Sequence, residues 1–163
     1  YNNMGDCAGL EDHVAVIKAL CKRYDFIDPE RIGVWGHSGG GFATFHCLID
    51  HPEIYKVGVS TGGNHSQEIY SAEWSERYMG AFRRELWEKQ NAEYHAERLE
   101  GKLLLMHGEL DDNVHPASTL RVVDALIKAD KDFDLLIMPG RHHTMRDSDY
   151  YRRRVLEYFA KNL

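Results

Sequence analysis

Ser38 lies at the centre of the pentapeptide Gly-His-Ser-Gly-Gly at residues 36–40, a Gly-x-Ser-x-Gly pattern. A serine in this pattern acts as a nucleophile when it lies on a sharp turn between a strand and a helix. Flanking glycines suit such a turn because a residue without Cβ lets the strand and the helix pass closely. Gly39 then offers its backbone N–H as one oxyanion donor. The pattern predicts nucleophilic catalysis by Ser38, against the alternative of a glycine-rich turn without chemistry.

A serine hydroxyl becomes a nucleophile when a general base removes its proton and a carboxylate orients that base. On a parallel sheet these partners follow in the order serine, acid, histidine, each after the end of a strand. Two candidate acids, Asp111 and Asp112, and two candidate bases, His142 and His143, follow later apolar runs in that order. Spacing alone does not choose within either pair, so the residues themselves leave both alternatives open.

The elements that position these residues are predicted from hydrophobic periodicity. Short apolar runs typical of buried strands occur at residues 31–36, 57–60, 102–107 and 133–138. Helical spacing of apolar residues predicts helices at residues 10–23, 42–49, 117–129 and 146–162. This alternation predicts an α/β fold, with a mainly parallel sheet of about four strands and helices on both faces. The serine, acid and histidine groups then leave the same edge of the sheet.

The segment at residues 62–98 is less regular and is rich in aromatic and charged residues. We expect it to form helices that lie over the edge of the sheet rather than within it. Tyr70 and Trp74, four residues apart, would share one helix face, a spacing that ordinary helix packing also explains.

The bulk composition excludes several classes of partner. The chain has 163 residues, 43% of them hydrophobic and 28% charged, which is enough apolar material for one domain with a core. Its formal net charge of −6 provides no overall basic field for nucleic acid. No run approaches the ~20 consecutive apolar residues of a membrane span, and no signal-peptide pattern opens the chain. We expect neither nucleic acid nor a membrane as a partner.

Metal binding and disulfide bonding are not predicted. The three cysteines, Cys7, Cys21 and Cys47, are odd in number and have neither Cys-x-x-Cys nor metal-ligand spacing, which indicates free thiols. The chain has ten histidines but no His-Glu-x-x-His motif. A histidine engaged with Ser38 could not also bind a metal ion, so we expect no metal.

Four separated stretches of the chain together resemble one family. They are Asp-Pro-Glu-Arg-Ile-Gly-Val-Trp-Gly-His-Ser-Gly-Gly at residues 28–40, Glu-Arg-Tyr-Met-Gly at 76–80, His-Gly-Glu-Leu-Asp-Asp-Asn-Val-His at 107–115 and Arg-His-His at 141–143. In this order they resemble the catalytic domain of the prolyl oligopeptidase family of serine peptidases, and within it the dipeptidyl peptidase IV branch. The resemblance implies an α/β-hydrolase-type fold and a peptide substrate.

The resemblance also implies roles for individual residues. Asp111, the first aspartate of the Asp-Asp-Asn-Val run, takes the role of the triad acid, and His143 takes that of the base. Asn113 would hydrogen-bond the peptide near its amino end. The positions that line the proline-accepting S1 pocket of the family correspond to Tyr70, Trp74 and Val114. The implied reaction is acyl transfer to Ser38 without a cofactor.

The chain departs from the family pattern at several positions. Gly39 replaces an aromatic residue of the dipeptidyl peptidase IV branch, and Thr144 replaces a glycine after the base. Asn64 and Gln67 stand where more apolar pocket residues are expected. The resemblance further implies that residues 1–163 are the C-terminal portion of the catalytic domain, truncated at its N-terminus. An oxyanion tyrosine and a β-propeller domain would precede this portion in the parent protein.

Two other readings compete with a peptidase. A carboxylesterase can use the same fold and triad, because neither chooses between ester and amide substrates. A folded but inactive piece of the domain would expose a sheet edge and apolar surface, which favours self-association into homo-oligomers. The sequence does not indicate a cellular compartment.

Overall fold

The computed structural model describes residues 9–163, and all structural statements concern this part of the chain. Its strands are β1 (Gly33–His37), β2 (Val57–Thr61), β3 (Lys102–Gly108) and β4 (Asp134–Met138). Its helices are α1 (Leu10–Arg23), α2 (Gly39–Asp50), α3 (Ala72–Met79), α4 (Arg84–Glu88), α5 (Ala117–Lys128) and α6 (Asp149–Asn162). Short 3₁₀ turns occur at Gln67–Ile69, Ala92–Tyr94 and Ala96–Arg98.

The four described strands form one sheet in the order β1-β2-β3-β4, and every neighbouring pair is parallel. The predicted α/β fold with a parallel sheet is therefore confirmed. Because all strands run in the same direction, their carboxyl ends meet at one edge. The register places His37 beside Thr61 and Gly108 beside Met138 at that edge. The three predicted catalytic groups follow β1, β3 and β4 there.

Two apolar clusters cover the two faces of the sheet, as predicted. Alternate residues of β3 divide between them: Leu103 and Leu105 face one cluster, and Leu104 and Met106 face the other. Helices α1, α2 and α5 supply the first cluster with Leu10, Phe45 and Leu126, among others. Helix α6 supplies the second with Tyr151 and Tyr158. Burial of each such apolar side chain contributes roughly 1.5–3 kcal/mol to the free energy of folding. Strand β3 therefore stabilises the packing on both faces of the sheet.

Two helices begin at other residues than predicted. Helix α2 begins at Gly39, three residues earlier, because the glycines that suit the turn also join the first helical turn. Helix α6 begins at Asp149, three residues later, where Ser148 Oγ accepts a hydrogen bond from the Tyr151 N–H and caps the helix. The early start of α2 leaves no loop between Ser38 and its helix.

The irregular segment after β2 contributes short helices and turns and no strand of the described sheet, as expected. Its turns at Ala92–Tyr94 and Ala96–Arg98 pack against α5 and α2, so the segment rests on the helical layer of one face as well as on the edge. None of the helices described in residues 9–163 has the length and apolar character to cross a membrane.

The cysteines of the described part are free, as predicted. Cys21 is half-buried and Cys47 is buried, and burial raises the pKa of the Cys47 thiol to about 11. A thiol with so high a pKa stays protonated and unreactive at neutral pH. Cys7 lies outside the described residues.

Candidate active site

Ser38 lies between the last residue of β1 and the first residue of α2 in a strained backbone conformation. Its φ of 59° and ψ of −122° place a residue with a side chain in a region that costs of order 1–3 kcal/mol. Hydrogen bonds of both the N–H and the carbonyl group of Ser38 hold this conformation. The Ser38 N–H donates to Thr61 O at 2.9 Å, and the Ser38 carbonyl accepts from Gly41 N at 2.8 Å and Phe42 N at 3.1 Å.

The steric demand for glycine in this turn is strongest at Gly36. A Cβ on Gly36 would lie 1.9 Å from the carbonyl oxygen of Gly40, so no other residue fits where strand and helix cross. A Cβ on Gly39 or on Gly40 would meet no atom within 4 Å. The expectation that all the glycines serve close approach is therefore right for Gly36 and wrong for Gly39 and Gly40.

Asp111 and His143 form a short hydrogen bond. The Nδ1–H of His143 donates to Asp111 Oδ2 at 2.7 Å, and the Asp111 side chain is fully buried. The other carboxylate oxygen, Oδ1, accepts the backbone N–H groups of Asn113 at 3.0 Å and Val114 at 2.8 Å. These bonds turn the carboxylate inward and fix its orientation.

The neighbouring pair, Asp112 and His142, is arranged differently. Their side chains are 81% and 64% exposed, and Asp112 Oδ1 lies 3.7 Å from His142 Nδ1. A pair with this exposure and distance interacts weakly in water. Of the two alternatives that spacing leaves open in each pair, the structure joins Asp111 to His143 at the sheet edge.

His143 lies beside the strand–helix turn. Its ring packs against the ring of His37, with 4.6 Å between the centroids. Its Nδ1 lies 3.5 Å from where a Cβ on Gly62 would be, so the loop after β2 borders the ring on a second side. No hydrogen bond joins Ser38 Oγ to His143 among the described residues. Such bonds are often long without substrate and tighten when substrate binds.

His37 is a residue of this site that the sequence reasoning did not single out. The Thr61 hydroxyl donates to Gly36 O at 3.1 Å, so its oxygen is free to accept from His37 Nδ1–H at 3.1 Å and from Tyr151 OH at 3.2 Å. Burial, followed by the positive charges of His143 and Arg146, lowers the pKa of His37 to about 4. His37 therefore supports the candidate base as a neutral ring. The sequence feature that could have indicated a role for His37 is its position directly before Ser38.

Three of the residues assigned to substrate binding line one cavity of about 280 Å³. Tyr70 OH donates to Asn113 Oδ1 at 3.0 Å, and the rings of Tyr70 and Trp74 meet edge to face at 6.3 Å. Glu73 and Arg77 complete the wall with Ser71, so the cavity has a charged rim. Burial and the nearby charge of Asp111 raise the pKa of Tyr70, which keeps its hydroxyl protonated.

The fourth residue assigned to substrate binding, Val114, is fully buried and is not among the residues that line this cavity. Its N–H donates to Asp111 and its carbonyl faces His107 Nε2 at 2.8 Å, so the backbone of Val114 belongs to the wall behind the acid. Within residues 9–163, no group of three or more side chains is arranged to hold a metal ion.

Comparison with known proteins gives consistent matches over most or all of the chain. A family model described as the prolyl oligopeptidase family matches residues 1–163. Dipeptidyl peptidase 8 of Homo sapiens is 32% identical over 162 residues, which cover 94% of this chain and 18% of that protein. Venom dipeptidyl peptidase 4 of Vespula vulgaris is also 32% identical over 162 residues, covering 89% of this chain and 21% of that protein.

Solved structures match to a similar extent. The crystal structure of a Bacteroides ovatus protein has a TM-score of 0.93 at 34% identity and covers 100% of this chain and 23% of the other. That of Porphyromonas gingivalis dipeptidyl peptidase 4 has a TM-score of 0.88 at 28% identity and covers 100% of this chain and 24% of the other. The chain thus spans about a fifth of the length of these relatives.

Proposed function

Because this chain belongs to the prolyl oligopeptidase family, we propose that it carries the catalytic triad of a serine peptidase of the dipeptidyl or prolyl-specific type. The observation that carries the proposal is the Asp111–His143 hydrogen bond of 2.7 Å beside the strained turn at Ser38. The named dipeptidyl peptidases among the relatives support a peptide as substrate.

The bond between Asp111 and His143 determines what the base can do. Since Nδ1 carries the proton that Asp111 accepts, the neutral ring has its lone pair on Nε2. Nε2 takes the hydroxyl proton of Ser38 as Oγ attacks the scissile carbonyl carbon. The imidazolium, stabilised by Asp111, then gives that proton to the leaving amine, and an acyl-enzyme forms. Water, activated by the same ring, releases the acid product. No cofactor takes part in these steps.

The start of α2 is suited to the oxyanion of the tetrahedral intermediate. The N–H groups of Gly41 and Phe42 already donate to Ser38 O, while the first N–H groups of a helix have no acceptor within it. Gly39 N–H is one of these, at the positive end of a 12-residue helix. We assign it as one oxyanion donor.

The cavity beside Asn113 is the proposed binding site for the amino-terminal part of the peptide. Because Tyr70 OH occupies Asn113 Oδ1, the amide nitrogen of Asn113 stays available to donate to a substrate carbonyl. Tyr70 and Trp74 present aromatic surface to a side chain of the substrate. Val114 contributes through the backbone that holds Asp111.

The relatives are several times longer than this chain. Since it covers 18–24% of them, we propose that residues 1–163 are the C-terminal portion of a catalytic domain within a larger protein that also carries a β-propeller. Strand β1 has only one neighbour in the described sheet. This free edge supports association into a homo-oligomer when the chain is isolated.

Labelling by a fluorophosphonate probe tests the proposed function without requiring the natural substrate. We expect covalent labelling of the wild type and none of Ser38→Ala, in this chain or in a longer form of the protein. Absence of labelling in both would overturn the proposal. A panel of Xaa-Pro and Xaa-Ala dipeptide amides, matched with the corresponding esters, then separates the peptidase from a carboxylesterase, which would cleave the esters alone.

A further inference from the structure

His107 is a fully buried histidine that lies close to the Asp111 carboxylate. It is the second-last residue of β3, and both of its ring nitrogens have close polar neighbours. Nε2 lies 2.8 Å from Val114 O and 3.2 Å from Asp111 Oδ2, and Nδ1 lies 2.7 Å from Thr119 Oγ1 on α5. The triad mechanism above does not use this ring.

The neighbours of His107 determine its tautomer. A carbonyl oxygen and a carboxylate oxygen can only accept hydrogen bonds, so Nε2 must carry a proton. Burial lowers the pKa of His107, which favours the neutral ring, whose Nδ1 is then an acceptor. The Thr119 hydroxyl can donate to it. One arrangement satisfies every group: Thr119 donates to Nδ1, and Nε2–H donates to Val114 O with Asp111 Oδ2 close by.

The same arrangement gives both oxygens of the Asp111 carboxylate close N–H neighbours. Two backbone N–H groups hold Oδ1, and Oδ2 lies between His143 Nδ1–H at 2.7 Å and His107 Nε2–H at 3.2 Å. His107 also holds the carbonyl of Val114, whose N–H is one of the two donors to Oδ1. The ring therefore restrains the acid directly and through its loop.

We propose that His107 is a positioning residue that holds the Asp111 carboxylate toward His143, and that Thr119 holds His107 in the required tautomer. The proposal rests on the function proposed above for Asp111 and His143. It connects α5, which contributes no triad residue, to the acid through two side chains.

Two substitutions of His107 separate positioning from simple packing. The amide nitrogen of glutamine reaches about as far as Nε2, whereas that of asparagine reaches only about as far as Nδ1. In His107→Gln we expect kcat/KM within about threefold of the wild type, because a donor remains for Val114 O and Asp111. In His107→Asn we expect a loss of up to about 100-fold, because a small displacement of a catalytic group can cost that much in rate.

The pH profile supplies a readout that a purely structural role would not change. The acid limb of kcat/KM reports protonation of the free base. Without the His107 N–H, the charge of Asp111 acts more fully on the imidazolium of His143, so the limb of His107→Asn moves to higher pH. His37 and Asp111 also face His143, and both residues are the same in this variant as in the wild type. Equal losses in both variants with an unmoved limb would overturn the proposal.

Thr119 provides an independent test with a conservative control. Thr119→Val keeps the shape of the side chain and removes the hydroxyl, and Thr119→Ser keeps the hydroxyl. We expect a smaller loss for Thr119→Val than for His107→Asn, and restoration by Thr119→Ser. Equal activity of Thr119→Val and wild type would contradict the role of Thr119.

A measurement on the unmodified chain does not depend on activity or on a variant that folds. Long-range ¹H–¹⁵N correlation spectra identify which nitrogen of each histidine ring carries the proton. We expect His107 to be neutral and protonated on Nε2 at pH 7. Protonation on Nδ1 would overturn the proposal even if the fluorophosphonate probe labels Ser38. Failure of labelling with the Nε2 tautomer present would overturn the proposed function and leave the hydrogen-bond arrangement intact.

Discussion

The loop after β3 and the segment after β2 both leave the carboxyl edge of the sheet, but their buried polar atoms are satisfied to different extents. Around Asp111, both carboxylate oxygens and both nitrogens of His107 have partners. In the segment after β2 and its neighbouring turns, buried side-chain atoms without a hydrogen-bond partner among residues 9–163 include those of Asn64, His65, Trp87 and Asn91.

Buried polar groups with hydrogen-bond partners and buried polar groups without them affect stability differently. An unsatisfied buried polar group costs about 1–3 kcal/mol, whereas a typical satisfied hydrogen bond contributes about 0.5–1.5 kcal/mol and helps to fix geometry. The hydrogen bonds in the loop after β3 therefore hold the carboxylate of the proposed acid in one orientation. In the segment after β2, we expect replacement of an unpartnered amide by an apolar group of similar volume to raise stability, whereas we expect replacements around Asp111 to lower it.

Asp111→Asn removes the acceptor for the His143 Nδ1–H from the proposed acid, and we expect it to slow labelling more than any other substitution. In Asp111→Asn the amide oxygen can still accept the N–H groups of Asn113 and Val114, but the amide nitrogen cannot accept from His143 Nδ1–H. The ring then takes the other tautomer, and Nε2 no longer acts as a base. We expect the rate of fluorophosphonate labelling to fall about 10⁴-fold.

The matched control for this substitution is Asp112→Asn. Asp112 is 81% exposed and 3.7 Å from an exposed histidine, so we expect a change in the labelling rate within about threefold. Comparable losses for the two variants would show that Asp111 is not the acid.

Gly108→Ala tests how closely the loop that carries His143, the proposed base, must approach β3. A Cβ at this position would lie 2.4 Å from the carbonyl oxygens of Arg141 and His142, about 1 Å inside ordinary contact. Both atoms belong to the backbone, so the loop must move and take His143 with it. We expect labelling to slow by about 10–100-fold and the free energy of unfolding to fall by about 1–3 kcal/mol. Gly40→Ala, which meets no atom within 4 Å, should retain the wild-type labelling rate.

We expect His65, a fully buried histidine of the segment after β2, to contribute to acid unfolding. Burial, followed by the charges of His107 and His46, lowers the pKa of His65 to about 3. The unfolded chain therefore binds more protons at this residue between pH 3 and about 6.5. Its contribution to stability is fully present above pH 6.5 and is lost as the pH falls toward 3.

Urea unfolding at several pH values measures this contribution. The amide of His65→Gln can keep the contact with Ser60 Oγ. Between pH 4 and 6 we expect a smaller slope of the free energy of unfolding against pH in this variant, by an amount that corresponds to the uptake of up to one proton. An unchanged slope would mean that another group dominates acid unfolding. His51→Gln is the control, since His51 contacts the exposed carboxylates of Glu11 and Glu53.

The sheet and its order of elements could be predicted because apolar runs and helical spacing alternate along the chain. Strand ends were predicted to within two residues, but the start of α2 was missed because glycines are poor helix formers in isolation. The start of α6 depends on the Ser148 cap, which the periodicity of the neighbouring apolar residues does not show.

The candidate site could be predicted only in part. Spacing left Asp111 and Asp112 equivalent, because backbone N–H groups of the loop turn one carboxylate inward and a single sequence does not contain that turn. His107 was visible as a polar residue within the apolar run of β3. Its partners lie 4, 7 and 12 residues further along the chain, and only the fold brings them around one ring.

Asn64 is a buried residue of the segment after β2 whose replacement we expect to change stability only slightly. Neither amide atom of the fully buried Asn64 has a hydrogen-bond partner among the described residues, while Asn91 Oδ1 accepts the backbone N–H of Gln67 at 2.8 Å. Asn64→Leu replaces an unsatisfied amide with an apolar group of similar volume, and we expect the free energy of unfolding to rise by up to about 1 kcal/mol. Asn91→Leu leaves the Gln67 N–H buried without an acceptor, and we expect a fall of about 1–3 kcal/mol. Thermal unfolding of the two variants distinguishes the cases, and a clear loss of stability in Asn64→Leu would show that this amide is satisfied in solution.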